Sequence, residues 1–295
     1  MPLLDKLREQ YGVGPLCSEL HIAPSTYYHC QQQRHHPDKR SARAQRDDWL
    51  KKEIQRVYDE NHKVYGVRKV WRQLLREGIR VARCTVARLM AVMGLAGVLR
   101  GKKVRTTISR KAVVAGDRVN RQFVAERPDQ LWVADSTYVS TWQGVVYVAF
   151  IIDVFAGYIV GWRVSSSMET TFVLDALEQA LWARRPSGTV HHSDKGSQYV
   201  SLAYTQRLKE AGLLASTGST GDSYDNAMAE SINGLYKAEV IHRKSWKNRA
   251  EVELATLTWV DWYNNRRLLE RLGHIPPAEA EKAYYASIGN DDLAA

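Results

Sequence analysis

At Gln130 the hydrophobic pattern of this 295-residue chain changes period, and that change restricts its fold more than any other feature. Three segments in a row, "QLWVADSTYVST", "GVVYVAFIIDVF" and "YIVGWRVSSS", are rich in β-branched and aromatic residues and alternate as strands do. Only Trp142–Gly144 and Ala156–Gly157 separate them, so the connections are turns and the three strands form an antiparallel meander. "METTFVLDALEQALWARR" is then an amphipathic helix, "SGTVHHSDKG" a short strand ending in a loop, and "SLAYTQRLKEAG" a further helix. Two more helices follow, within residues 222–241 and in "RAEVELATLTWVDWYNNRR". A meander followed by strand–helix alternation predicts an α/β fold, a mixed sheet flanked by helices.

The part before Gln130 is helical and basic. "VGPLCSELHIAPSTYYHC" reads as helix, break at His21–Pro24, and a new helix with Ser25 as its N-cap, giving a helix-turn-helix-like segment over residues 1–32. "QQQRHHPDKRSARAQR" reads as a polar linker. A second helix-turn-helix follows in residues 45–100, with a helix through Arg76, a turn at Glu77–Gly78 and a helix from about Arg83 to Met93. Val70, Leu74 and Leu75 form one apolar face, Val86, Leu89 and Met90 the other, and Gly94 and Gly97 close the unit. Both pairs also fit plain helical hairpins. Residues 101–125 are a basic, helix-poor linker, and residues 126–288 the α/β core with its C-terminal helices.

Net charge divides the chain in the same place. Residues 1–128 hold 27 Lys+Arg against 12 Asp+Glu, a balance of +15; residues 129–295 hold 15 against 20, a balance of −5. A basic front tethered to a mildly acidic back suits a polyanion, and nucleic acid fits better than a generic basic surface, though charge alone does not name the polyanion. Arg83 and Arg88 on the second helix, and Lys102, Lys103 and Arg105 in the linker, are candidate DNA contacts. Cys17, Cys30 and Cys84 form no CxxC pair, which argues against a disulfide framework or a zinc knuckle. No apolar run is long enough to span a membrane and the start lacks a signal-peptide core, so a cytoplasmic location is expected.

Three carboxylates stand out in the acidic part. Asp135 lies mid-strand among apolar neighbours, and alternation puts it on one face with Val133 and Thr137. It is either a solvent-facing aspartate of an edge strand or an inward carboxylate that needs a partner or a metal. Asp194 follows a short apolar strand, where open sheets bind ligands, or is a turn residue before Gly196. Glu230 belongs to a helix whose polar face carries Asn226, Glu230, Asn233 and Lys237 at steps of four, three and four. Converging carboxylates without cysteine favour Mg²⁺ or Mn²⁺, and a pair of ions ~3.5–4 Å apart suits phosphodiester chemistry. Glu239 lies about 180° round the helix from Glu230, and Asp222 and Asp225 suit its start. Asp153 and Asp129 sit beside a turn and in a loop.

"LWVADSTYV", "HHSDKGSQYVS" and "SYDNAMAESINGLYKAEVI" resemble the catalytic blocks of DDE transposases with a retroviral-integrase-type core. They are most similar to the OrfB product of the third insertion-sequence family. The 35 residues between Asp194 and Glu230, and Lys237 seven after the glutamate, match its pattern, and the similarity covers almost the whole chain. His191–His192 before Ser193, and Lys195 where arginine is frequent, depart from it without touching the carboxylates. The resemblance implies a ribonuclease-H-like core with a five-stranded sheet, Asp135, Asp194 and Glu230 as catalytic metal ligands, and Lys237 against DNA near the cut phosphate. Asn226 and Asn233 would hold the carboxylate or touch the strand. It further implies a homo-oligomer on DNA and OrfA as a fused or separate partner. No sustained heptad run occurs here, so the chain looks like the OrfB part alone. The implied activity is metal-dependent cleavage and strand transfer at element ends, with nucleoid association when active. A nuclease of the same fold and an inactive DNA-binding regulator are the alternatives.

Overall fold

The computed structural model describes residues 2–99, 125–194, 196–217 and 227–294. Its first three helices, α1 (Pro2–Tyr11), α2 (Val13–Glu19) and α3 (Pro24–His35), close over a small core of Leu4, Cys17 and Tyr27. The Tyr27 hydroxyl donates to Asp5 at 3.0 Å. Ser25 is not the cap expected of it. Ala23 occupies that position and Pro24 takes the first helical turn, where its missing N–H leaves nothing unsatisfied. Much of the expected linker is helical as well. α3 runs on to His35, and α4 (Ala42–Glu60) starts at Ser41, whose hydroxyl accepts from Ala44 N at 3.2 Å.

Helices α4, α5 (Val67–Arg76) and α6 (Arg83–Val92) form the second helical unit around Leu50, Ile54, Val57, Val70, Leu74, Val86, Leu89 and Met90. Gly94 ends α6 with φ of 68°. Gly97 does something other than close a helix: a Cβ there would stand 2.6 Å from Gly66 N, so the two backbones approach this closely only because residue 97 is glycine.

The sheet has the order β3-β2-β1-β4-β5. β1 (Leu131–Thr141), β2 (Gly144–Asp153) and β3 (Tyr158–Ser165) are the antiparallel meander, while β4 (Val190–Ser193) runs parallel to β1 and β5 (Leu214–Thr217) parallel to β4. β5 spans four residues, too few to show a period. Alternation along β1 divides the layers. Trp132 and Ala134 pack with α7 (Thr170–Arg184) and α8 (Leu202–Glu210); Val133 and Val139 pack with α9 (Ala227–Glu239) and α10 (Arg249–Asn265). Gly161 lets β3 approach α7, since a Cβ there would lie 2.2 Å from Ala176 O.

The helical unit is fastened to the core's C-terminal side. Leu268 N donates to the Tyr65 hydroxyl at 2.8 Å and Trp262 Nε1 to Asn61 Oδ1 at 3.1 Å, and Arg76 pairs with Glu279 of α11 (Pro277–Ala294) at 2.5 Å. No helix among the described residues is long and apolar enough to cross a membrane.

His191 on β4 is buried, its Nε2 3.1 Å from the Tyr204 hydroxyl, and burial holds its imidazole down at about 4. A histidine freed by unfolding takes up a proton near pH 6.5, so this group favours unfolding as pH falls from there towards 4. The full span amounts to about 3 kcal/mol. Denaturant titrations of the wild type and His191→Leu should diverge across that window, the wild type losing more stability towards acid. Parallel curves would show that His191 does not contribute.

Candidate active site at the ends of the parallel strands

β1 is the central strand of the sheet, so Asp135 is an interior carboxylate and not an edge residue. The β1–β4 register pairs Ala134 with Ser193 and ends there. Asp135 and Asp194 are therefore the next residues of two adjacent parallel strands, whose backbones run about 4.8 Å apart. This is the carboxyl end of the parallel strands, where an open sheet leaves a crevice.

From the other side comes α9. Asn233 is buried, and its Nδ2 donates to Asp135 Oδ2 at 2.9 Å; Ser136 N donates to Asp135 Oδ1 at 2.8 Å. Glu230, half-buried, lies one turn before Asn233 on the same helix. The Asp135 carboxyl is pushed up to about 7, by burial first and then by the negative charge of Asp194, with Glu230 adding to it against the two hydrogen bonds. Asp194 and Glu230 thus both bear on Asp135. Tyr199, buried, also feels Asp135 and Asp194, and burial keeps its hydroxyl protonated. Sequence reading passed over Tyr199; its place five residues after Asp194 was the available signal.

The carboxylates do not close into a cage. Among the described residues no group of three His, Cys, Asp or Glu side chains is compact enough to hold a metal. Asp194 is exposed, and its Oδ1 accepts from Gly196 N at 3.0 Å. The donors nevertheless fit a hard divalent cation. They are all oxygens, and the amide oxygen of Asn233 is buried without a hydrogen-bond partner beside Asp135. A bound cation would offset both the desolvation of Asp135 and its repulsion by Asp194 and Glu230.

The expected DNA contacts meet different fates. Asn233 is buried and bonded to the Asp135 carboxylate, the arrangement its carboxylate-holding role requires. Lys237 Nζ stands 5.0 Å from the centre of the Tyr138 ring. Arg83 is exposed at the start of α6, and Arg88, also exposed, donates from Nη2 to both oxygens of Asp47 at 2.9 Å. Asn226, Lys102, Lys103 and Arg105 lie outside the described residues. Glu239, 180° away as expected, is buried against Arg267, and Asp153 is buried where it accepts from Asp129 N and Phe155 N at 2.6 and 2.9 Å.

Comparison with known proteins supplies the relatives. Residues 125–223 and 211–277 match families described as Integrase core domain, and residues 45–103 one described as HTH-like domain. The transposase for insertion sequence element IS629 of Shigella sonnei is 98% identical over 295 residues, all of both chains. The chain belongs to the insertion-sequence transposases. A putative transposase for IS986/IS6110 of Mycobacterium tuberculosis (strain ATCC 25618 / H37Rv) is 54% identical over 90% of this chain and 96% of its own. The putative transposase InsK for IS150 of Escherichia coli (strain K12) is 30% identical over 97% and 99%. The ribonuclease-H-like, integrase-type architecture expected from the sequence is the one this transposase has, a mixed five-stranded sheet flanked by helices behind an HTH-like helical unit. Its chemistry is that of a polynucleotidyl transferase.

Proposed function

We propose that this transposase cuts DNA at the ends of its element and joins the freed strand to a second site, with Asp135, Asp194 and Glu230 as one DDE carboxylate centre. The observation that supports this reading most is the register: Asp135 and Asp194 directly follow the last paired residues of two parallel neighbours, and Glu230 adds its charge from α9. Bound by these carboxylates, Mg²⁺ or Mn²⁺, as a pair of ions, supplies an acidified nucleophile and a stabilised leaving oxygen. Asn233 and Ser136 N, each donating to one oxygen, fix the Asp135 carboxylate against rotation. In the first step water adds to phosphorus and the P–O3′ bond breaks, releasing a 3′-hydroxyl. In the second that hydroxyl attacks another phosphodiester, so one P–O bond forms as one breaks and no external energy source is needed. DNA ends and target are the substrates, a homo-oligomer on DNA is the working form, and OrfA, fused or separate, is the partner. A bacterial cytoplasm, at the nucleoid, is where this happens.

The full chain, incubated with a duplex carrying the element's terminal sequence, should nick it and form joined products with Mg²⁺ and do neither with chelator. Nicking without joined products would reduce the reading to a nuclease. Binding with no nick in either condition would leave only a regulator.

Lys237 is two turns beyond Glu230 and nearly in line with it, about 10 Å along the helix. That is out of reach of the metal centre and suits a neighbouring phosphate, which an ammonium clamps as a point charge. Lys237→Ala should lower cleavage about tenfold, and more DNA should rescue it in part where more Mg²⁺ does not. Lys209→Ala, on α8, is the control. Equal activity in the two variants would make Lys237 an ordinary surface lysine.

A further inference from the structure

Asp135 and Asp194 are each held by a backbone N–H. Ser136 N donates to Asp135 Oδ1 at 2.8 Å, and Gly196 N to Asp194 Oδ1 at 3.0 Å. The buried side chain of Tyr199 borders both of these clamps. Tyr199 N donates to Gly196 O at 3.0 Å, and a Cβ built on Gly196 would meet Asp194 Oδ1 at 3.0 Å and ring carbon Cδ2 of Tyr199 at 3.5 Å. The ring therefore lies against the turn that carries Asp194. It is fixed from behind: Tyr199 is 3% exposed, packs in the layer of Trp132, Ala134 and Phe172, and meets the Tyr204 ring edge-on with 5.4 Å between centres. Alternation along β1 puts Ser136 on the same side as Ala134, so the phenol comes up under Ser136 while the Asp135 carboxylate turns to Asn233 of α9. There its hydroxyl stands beside Ser136, buried and without a hydrogen bond. A buried hydroxyl left unbonded is costly, and in a folded protein it marks strain or a functional role.

We infer that Tyr199 is a positioning residue, a strut that sets the spacing of the two aspartates: its ring braces the Gly196 turn, and its hydroxyl closes onto Ser136 Oγ as the carboxylates draw together on a divalent cation. The inference rests on the reading of the carboxylates as one cation-binding centre and deepens it. The negative charges of Asp194 and Glu230 disfavour a charged Asp135, a force that pushes the two clamps apart. A cation shared by the carboxylates reverses the sign of that force. The Tyr199–Ser136 contact then holds Ser136 N on Asp135 while the ring holds the Gly196 turn under Asp194, so a rigid buried side chain orders two ligands at once. Groups that orient metal ligands in this way govern affinity for the metal without touching it.

The test is Mn²⁺ binding by the full chain without DNA, read as the rise in melting temperature with increasing Mn²⁺. Tyr199→Phe removes only an unbonded hydroxyl, so in chelator it should melt at or above the wild-type temperature. It should need about tenfold more Mn²⁺ for the same rise, and cleavage should need more Mn²⁺ by a similar factor. Ser136→Ala should shift the requirement alike, and the double variant no further than either single one, because all three remove the same contact. Tyr204→Phe is the structural control. It strips the buried His191 Nε2 of its partner at 3.1 Å, so it should melt lower yet keep the wild-type Mn²⁺ requirement. A Tyr199→Phe protein that responds to Mn²⁺ as the wild type does, or that loses stability in chelator as Tyr204→Phe does, would overturn the inference; so would additive shifts in the double variant. The carboxylate reading is judged separately by Asp135→Asn. A full Mn²⁺ response with normal cleavage there removes the centre itself, whereas a lost response beside an unchanged Tyr199→Phe removes only the strut.

Discussion

Asp135→Asn, Asp194→Asn and Glu230→Gln will each lower cleavage of an element-end duplex by more than about 100-fold, the range seen when even supporting groups around a metal are lost. A neutral amide keeps the shape of the carboxylate but is a weak ligand for a hard cation. The reason to expect the loss from each one separately is the proposed shared centre, in which Asp135 feels the charges of Asp194 on the neighbouring strand and Glu230 on α9. Misfolding has an opposite signature. Asp135→Asn removes a partly buried charge that faces two others, so in the absence of divalent ions its melting temperature should equal or exceed that of the wild type. DNA binding, measured by mobility shift in chelator, should persist in all three. Cleavage within a few-fold of wild type by any one variant would remove that residue from the centre.

The largest effect on stability is expected at Glu239 and Arg267. They are 8% and 5% exposed, and Arg267 reaches the carboxylate with both Nε, at 3.1 and 3.2 Å, and Nη2. Trp259 Nε1 donates a further bond to Glu239 at 3.0 Å, and the guanidinium lies over Tyr263 at 5.6 Å. Arg267→Ala leaves a buried carboxylate without its counter-charge and should destabilise by about 3–5 kcal/mol. The double variant Glu239→Gln/Arg267→Met removes both charges at similar volume and should recover most of that loss, because desolvating an ion pair offsets much of its attraction. Denaturant unfolding of wild type, single and double variants measures this directly. A double variant no better than Arg267→Ala would mean that the hydrogen-bond network, not charge balance, dominates here. Because Tyr65 and Asn61 bond to the same C-terminal region, the single variant should also loosen the helical unit from the core.

The sequence by itself determined the meander, because period-2 alternation with two tight turns leaves one cheap topology, and it located α5, α6 and α7 from their apolar faces. It also indicated that Glu230 and Asn233 share a face, and that Glu239 points away, since a helix of 3.6 residues per turn permits nothing else. Those are local properties, written into spacing. What only the tertiary structure decided is which strands become neighbours. Asp135 could equally have stood on an edge until β4 was found beside β1, with Ala134 opposite Ser193, and β5 was too short to announce itself. Arg88 could have been free until α4 set Asp47 against it, and Trp142 read as a mere turn residue until the chain after α9 returned to hold it. Each of these depends on residues dozens of positions apart, brought together by burial of apolar faces that is non-directional and leaves no periodic mark in the sequence.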